Sequence, residues 1–334
     1  MSPSLTRRAF IQSSLLSAAS VALGATAASN AAEAAGEGVA QLKIPDPTQF
    51  RILQFTDLHF FAGAAIAHKA VNRRSCQIMR DLAESAKPDL LMVTGDLWPE
   101  DRGGMGETSM RAVIEWIEEL DLPWAFTWGN HDQLPDYAVG HEAFTKAKNS
   151  LYRGAKSEGH YVIDILGPDG QRVWQILCLN SRQDGLLAEQ QQWLRSLDTA
   201  GGPGVPRLAF FHIPVKQYAD IWDSGAASGI IGENVCLEKE DGSTLPILAS
   251  MGVKACFCGH DHVNDYSGMA SGVELVYGRA TGAGGYGGKL LRKGGKLITV
   301  NCETDACEWL TLLPGGGQWH SAPGEQIDRR AKKK

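Results

Sequence analysis

Short, almost unbroken apolar runs alternate with helix-period segments through most of this chain, and that alternation restricts the fold more than any other feature. "FRILQFT" reads as a strand, and "VNRRSCQIMRDLAESA" sets Ile78, Met79, Leu82 and Ala86 on one helical face. "DLLMVTGD" is an apolar strand, and "ETSMRAVIEWIEEL" a helix burying Val113, Ile114, Ile117 and Leu120. "LPWAFTWGNHD" is a strand again. "YVIDIL", "VWQILCLN", "RLAFFHIP" and "VKACFCGH" continue the strands, with "LLAEQQQWLRSL" and "TLPILASMG" as helices. Strands that are apolar on both faces need cover on both sides, which argues for a layered α/β/α sandwich. From Glu274 to Leu313 the pattern is all-strand with Gly-rich turns. Without an internal repeat or long linker, a single domain over 45–320 is expected.

Five of the apolar runs end in metal-compatible side chains. These are Asp57 and His59 in "FTDLHF", Asp96 in "VTGDLW", Asn130 and His131 in "TWGNHD", His212 in "FFHIP", and His260 and His262 in "CGHDH". In open α/β sheets, ligands collect at the C-terminal strand edge. Residues i and i+2 of extended chain face one side, so Asp57 with His59, and His260 with His262, can each aim two donors at one point. Gly95, Gly129 and Gly259 stand just before the polar residues, where a tight turn needs permissive backbone. Carboxylate, imidazole and amide donors suit Fe, Mn or Zn without thiolate. The donors outnumber the needs of one four-coordinate ion, so two ions sharing the Asp96 carboxylate fit better. Two cations about 3.5–4 Å apart can hold a hydroxide and clamp the attacking and leaving oxygens of a phosphoester. Each fragment alone is as readily a polar turn; the argument rests on all five occurring in order.

With those blocks in hand, the sequence resembles the calcineurin-like metallophosphoesterases. "DLH", "GD", "GNHD", "H" and "GHDH" appear in order between Arg51 and His262, and "RILQFTDLHF", "FHIP" and "CGHDHVNDY" look most like the branch related to purple acid phosphatases. The resemblance implies a four-layer α/β/β/α sandwich, with two mixed sheets face to face and helices outside. It implies one metal on Asp57, His59, Asp96 and His262, and a second on Asp96, Asn130, His212 and His260. His131 would stand beside the leaving group as a catalytic residue without binding metal. One position departs from that branch: Pro99 stands where purple acid phosphatases place a metal-bound tyrosine, which puts a ferric site in doubt.

The expected chemistry is attack of a metal-bridging hydroxide on phosphorus, with His131 donating to the leaving alkoxide. Asp132 either orients His131 or is an idle surface residue, and Asp261 and Asp265 either support His260 and His262 or are exposed turn residues. Between His212 and His260 a loop over the site is expected, from which Tyr218, Trp222 and Glu233 could touch substrate. "GAGGYG" lacks the helix a dinucleotide fingerprint requires, and Leu290 after Lys289 rules out a phosphate-binding Walker loop. It is read as a cleft rim or a flexible loop.

"TRRAFIQ" places paired arginines before "SSLLSAASVALGATAAS", a run too short and too weakly hydrophobic for a confident membrane span. It resembles a twin-arginine signal over 1–34. That predicts the Tat export machinery as a partner, no stable membrane span after cleavage, and a periplasmic or secreted protein; an uncleaved anchor is the competing reading. The net charge of -6 disfavours a nucleic-acid partner, and the basic end 321–334 is expected to be a disordered tail. Seven cysteines cannot all pair. Cys256 and Cys258 read as core, while Cys302 and Cys307 flank a turn and either pair or stay free. A phosphomonoesterase acting on small phosphate esters is the leading function. A phosphodiesterase for nucleotide, glycerol or lipid head-group diesters is the alternative, and a non-catalytic metal or phosphate binder the third.

Overall fold

The computed structural model describes residues 38–62, 65–198 and 204–330, so the expected signal over 1–34 lies outside the described residues. In chain order the elements are β1 (Val39–Lys43), β2 (Phe50–Phe55), α1 (Ile66–Ala86), β3 (Leu90–Thr94), α2 (Gly106–Glu118), β4 (Trp124–Thr127), α3 (Tyr137–Lys146), β5 (Tyr161–Leu166), β6 (Arg172–Cys178), α4 (Ala188–Asp198) and β7 (Arg207–Phe210). There follow α5 (Gln217–Asp223), β8 (Ala227–Ile231), α6 (Thr244–Ser250), β9 (Val253–Cys258), β10 (Asp265–Ala270), β11 (Val273–Tyr277), β12 (Gly295–Asn301), β13 (Ala306–Leu313), β14 (Gly317–Trp319) and β15 (Gln326–Asp328).

They build two mixed sheets. One has six strands in the order β14-β13-β12-β2-β3-β4, the other nine in the order β1-β5-β6-β7-β9-β11-β10-β8-β15. Within the first, β2, β3 and β4 run parallel; within the second, β6, β7, β9 and β11 do. Side chains alternate as the pleat demands. Leu208 and Phe210 of β7, and Ala255 and Phe257 of β9, enter the core shared with the small sheet's Leu53, Phe55 and Val93. Their neighbours Ala209, Cys256 and Cys258 turn the other way and pack with Tyr218, Ile221, Leu245 and Leu248 of α5 and α6. Ile78, Met79, Leu82, Val113 and Ile117 of α1 and α2 join the first core. The layers are those of the α/β/β/α sandwich.

Polar ties cross the seam between the sheets. Gln54 in β2 donates to the Cys258 carbonyl at 2.9 Å and to Thr94 Oγ1 at 2.8 Å. Asp265 at the start of β10 is fully buried and accepts from Arg279, from Lys296 of β12 and from Thr311 of β13. Asp265 is thus an internal anchor between sheets, neither a support for His262 nor an exposed turn residue. Its two cationic partners hold its carboxyl below the ordinary range despite burial.

Three features bear on extent and pairing. β1 lies before residue 45 and pairs in parallel with β5. The tail predicted over 321–334 is placed as far as Arg330, because β15 pairs in parallel with β8 and closes that edge. Cys302 and Cys307 are free thiols: Cys307 lies opposite Val300 inside the ladder, while Cys302 lies beyond the end of β12.

Candidate metal centre

Each expected donor sits where a parallel strand hands over to a tight loop: after β2, β3, β4, β7 and β9. The extended-chain rule is not what pairs Asp57 with His59. Both have left-handed backbone, with φ 55° and 46°, as do Asp96 at 56° and His260 at 77°. L-residues hold such angles only where the surroundings over-determine them. Here the loops brace one another: Asp57 N–H donates to Gly95 O at 3.1 Å, and His59 N–H to Asp96 O at 2.9 Å. Of the three flanking glycines only Gly95 needs its positive φ of 77°. Gly129 and Gly259 are there for closeness. A Cβ on the first would lie 2.3 Å from Asp96 Oδ1, and on the second 1.9 Å from Thr56 Oγ1.

The donors converge into two groups that share Asp96. Asp57, His59, Asp96 and His262 offer atoms all within 4.8 Å of one another, as do Asp96, His212 and His260. In the first group His59 Nε2 lies 3.2 Å from His262 Nε2 and 3.6 Å from Asp96 Oδ2, and His262 Nε2 lies 3.3 Å from Asp57 Oδ1. In the second, His212 Nε2 lies 3.2 Å from Asp96 Oδ2, 3.0 Å from Asn130 Oδ1 and 3.2 Å from His260 Nδ1. All seven expected donors are therefore brought together. His212 Nδ1 donates to the Thr94 carbonyl at 2.8 Å, which fixes the tautomer and leaves the Nε2 lone pair facing inward.

This arrangement fits cations and little else. Both carboxylate oxygens of Asp57 are buried, at 1% exposure, with no hydrogen-bond partner. Two imidazole nitrogens 3.2 Å apart must share a proton or face a common cation. Burial opposes charge on Asp57 and Asp96, but the surrounding imidazoles outweigh it and hold both well below the usual carboxylate range. Burial pulls His59 and His260 down to about 4. At His212 the same burial is overridden by Asp96, which pushes the imidazole up to about 10. Ionised carboxylates and neutral His59 and His260 suit metal binding, whereas His212 must give up a proton to a cation that binds there.

His131 stands over the first group, its ring 5.1 Å from that of His59, and its Nδ1 lies 3.4 Å from Glu100 Oε1. Glu100 was not legible as a partner, although it sits one residue after Pro99 in the same loop. Asp132 corrects both readings made of it. It is completely buried and does not touch the His131 ring. Its Oδ2 accepts from the backbone N–H of Asp96 and of Gly129, both at 2.8 Å, and its Oδ1 accepts from Leu97 at 2.7 Å and Trp98 at 3.4 Å. It ties the β3 loop to the β4 loop. Burial and the Asp96 charge push its carboxyl up to about 8, against the pull of those N–H groups.

Asp261 is also buried, and accepts from Tyr277 Oη at 2.6 Å and the Cys236 N–H, not from His260 or His262. Tyr218 and Trp222 belong to the outer core under α5 and do not line the site. Glu233 comes nearer: it accepts from Tyr286 Oη at 2.8 Å, and the Tyr286 ring stacks on His262 at 4.0 Å. With its hydroxyl given to Glu233, Tyr286 supports a ligand without being one. The segment after β8 does border the site, with Glu238 Oε1 3.8 Å from His260 Nε2. The glycine loop forms the rim. A Cβ on Gly285 would lie 2.6 Å from His262 Cε1, and on Gly284 2.1 Å from His59 O, so only glycine lets this loop reach the ligands.

A family model described as calcineurin-like phosphoesterase matches residues 50–264. A probable inactive purple acid phosphatase 28 of Arabidopsis thaliana is 29% identical over 74% of this chain and 74% of its own. A probable cyclic nucleotide phosphodiesterase of Rhodococcus erythropolis is 26% identical over 87% of this chain and 91% of its own. Among solved structures, a dimetal phosphatase from Danio rerio shares the fold with a TM-score of 0.51 at 14% identity, covering 76% of this chain and 93% of that one.

Proposed function

This chain belongs to the calcineurin-like phosphoesterase family and is a phosphoric ester hydrolase, and we propose that it uses two metal ions to hydrolyse phosphate monoesters. The observation that carries the reading is the complete double donor set around Asp96, with both oxygens of the Asp57 carboxylate buried and accepting no hydrogen bond. Asp57, His59, Asp96 and His262 would hold one ion, and Asp96, Asn130, His212 and His260 the other. Bound there, two cations supply Lewis-acid polarisation of phosphoryl oxygens and activation of a water.

The protein's own groups do the rest. Asp96 carries the negative charge that lets two cations sit close together. The Thr94 carbonyl keeps His212 in one tautomer. Asn130 turns its amide oxygen towards the second group, leaving its NH2 to reach a phosphoryl oxygen. His131, whose Nδ1 lies 3.4 Å from Glu100 Oε1, would donate the proton that the departing alkoxide needs. Charge supports a monoester, since a dianion gains more than a monoanion from a doubly cationic centre. The word phosphatase in the Arabidopsis relative's name points the same way; the word inactive belongs to that protein, whereas this chain carries all seven donors and His131. Without a tyrosine at Pro99, and with Tyr286 committed to Glu233, iron, manganese or zinc would be held without phenolate colour.

The Rhodococcus relative supports a second reading, a phosphodiesterase. Both are tested by assaying p-nitrophenyl phosphate against bis-p-nitrophenyl phosphate after chelation and after reloading with iron, manganese or zinc. The expected result is monoester preference, lost on chelation, restored by metal, and reduced at least about 100-fold by Asp96→Asn. Diester preference would replace the first reading with the second. Hydrolysis of neither ester by metal-loaded protein would leave only a binding role.

A further inference from the structure

Beside the two donor groups of the centre, Cys236, Glu238 and His260 offer donor atoms that all lie within 4.8 Å of one another. Cys236 Sγ donates to Glu238 Oε1 at 3.3 Å, and that same oxygen lies 3.8 Å from His260 Nε2, too far for a hydrogen bond. The two nitrogens of His260 face different ways. Nδ1 is turned to the second group, 3.2 Å from His212 Nε2, and Nε2 to the Cys236 and Glu238 side. The His260 side chain is only 9% exposed, and its Nε2 is buried without a hydrogen-bond partner among the described residues. Such a nitrogen lacks either an acceptor for its proton or a cation for its lone pair. The segment that faces it is held in place. Glu238 has left-handed backbone, with φ 51°. The Cys236 N–H donates to the Asp261 carboxylate at 3.3 Å, which fastens it to the turn carrying His260. The Lys239 N–H donates to Asp184 O at 3.0 Å, and its ammonium pairs with the Asp184 side chain and not with Glu238.

We propose that Cys236, Glu238 and His260 form a third cation site, for a thiophilic divalent ion of the zinc or cadmium kind, whose filling draws His260 away from the centre. Thiolate, carboxylate and imidazole are donors that such ions accept together, and three of them leave a fourth position for water. Binding exchanges a proton for a metal bond. The S–H bond of Cys236 breaks, its electron pair goes to the cation, and the proton goes to solvent. The ring sets the competition, because a neutral imidazole has one lone pair. While Nδ1 serves the second ion of the centre, Nε2 carries the proton. When Nε2 serves the outer ion, that proton sits on Nδ1. One neutral His260 therefore cannot serve both cations, and a rise in free thiophilic metal weakens the hold on the second ion. The outer site stands on its donors alone; the inhibition rests on the two-metal reading of the centre.

The test titrates metal-free protein with cadmium in oxygen-free buffer and follows the ultraviolet thiolate-to-cadmium charge-transfer band. The two donor groups of the centre contain no thiolate, so cadmium bound there is silent. Wild type should develop the band. Cys236→Ser, which keeps a hydroxyl to donate to Glu238, should lack it, and the control Cys302→Ser should keep it. Glu238→Gln should need about tenfold more cadmium to reach the same signal. In a second measurement, excess zinc is added to metal-loaded protein hydrolysing p-nitrophenyl phosphate. The wild-type rate should fall about tenfold or more, while Cys236→Ser keeps most of its rate. No band in wild type, a band that Cys236→Ser retains, or equal zinc inhibition in the two proteins overturns the inference. If loaded wild type hydrolyses neither that ester nor bis-p-nitrophenyl phosphate, the catalytic reading has failed and the cadmium band alone decides the outer site. Its loss in Cys236→Ser then supports the site, and its absence from wild type or persistence in the variant overturns it.

Discussion

Replacing Asp132 by Asn changes a single atom's chemistry at the point where two ligand loops are joined. In the native chain one carboxylate oxygen accepts two N–H bonds of 2.8 Å, from Asp96 and Gly129, and the other accepts bonds of 2.7 and 3.4 Å from Leu97 and Trp98. An Asn side chain has one oxygen, so in either orientation its NH2 faces two backbone donors. Two buried N–H groups then lose their acceptor, at roughly 1–3 kcal/mol each, or about 2–6 kcal/mol in total. At about 2 °C per kcal/mol for a chain of this size, the metal-free variant should melt about 4–12 °C below metal-free wild type. The displaced Asp96 backbone carries the shared donor with it, so metal content after equal reloading should fall as well. The assay is thermal denaturation by circular dichroism on chelated samples at pH 9, where the Asp132 carboxyl is ionised, paired with elemental analysis of reloaded ones. A variant that melts within about 1 °C of wild type and retains full metal would show that the four N–H bonds do not hold these loops.

Gly285→Ala should impair metal binding by steric means alone, because its Cβ would lie 2.6 Å from His262 Cε1 and 3.1 Å from His59 Cδ2. Titration should show metal affinity lowered by about tenfold or more, and unchanged affinity would mean that the loop moves aside freely. Acid stability should depend on His160, whose buried ring accepts the Asn180 N–H at 3.0 Å and which burial holds down at about 4. Above pH about 6.5 both states are neutral and nothing is lost; between about 6.5 and 4 the unfolded chain takes a proton that the folded one refuses, removing roughly 3 kcal/mol. Urea unfolding of metal-free protein at pH 7.5 and 4.5 should show that drop shrinking in His160→Asn, and an equal drop in both proteins would assign the acid sensitivity elsewhere.

The donors could be read from the sequence because each follows an apolar run, and the end of a parallel strand is a place that a one-dimensional pattern can locate. What brings Asp57 and His59 together could not: the expected alternation of extended chain is replaced by two left-handed residues, whose φ depends on N–H bonds from the β3 loop. Asp132 was misjudged for a related reason. Its neighbours in sequence suggest an exposed turn, whereas its partners Leu97 and Trp98 lie about 35 residues away. Asp265 likewise looks like part of the "GHDH" turn until Arg279, Lys296 and Thr311 arrive from later strands.

The order in which the donors occur along the chain has a consequence for how the protein matures. Asp57, His59, Asp96 and Asn130 come from the small sheet, His212, His260 and His262 from the large one, and β12 reaches its place beside β2 only after all of them. A nascent chain that has not yet supplied His260 and His262 holds at most three members of each set. Capture of metal is therefore a late event that seals a nearly finished molecule, and the ions cannot serve as a template around which the early strands gather.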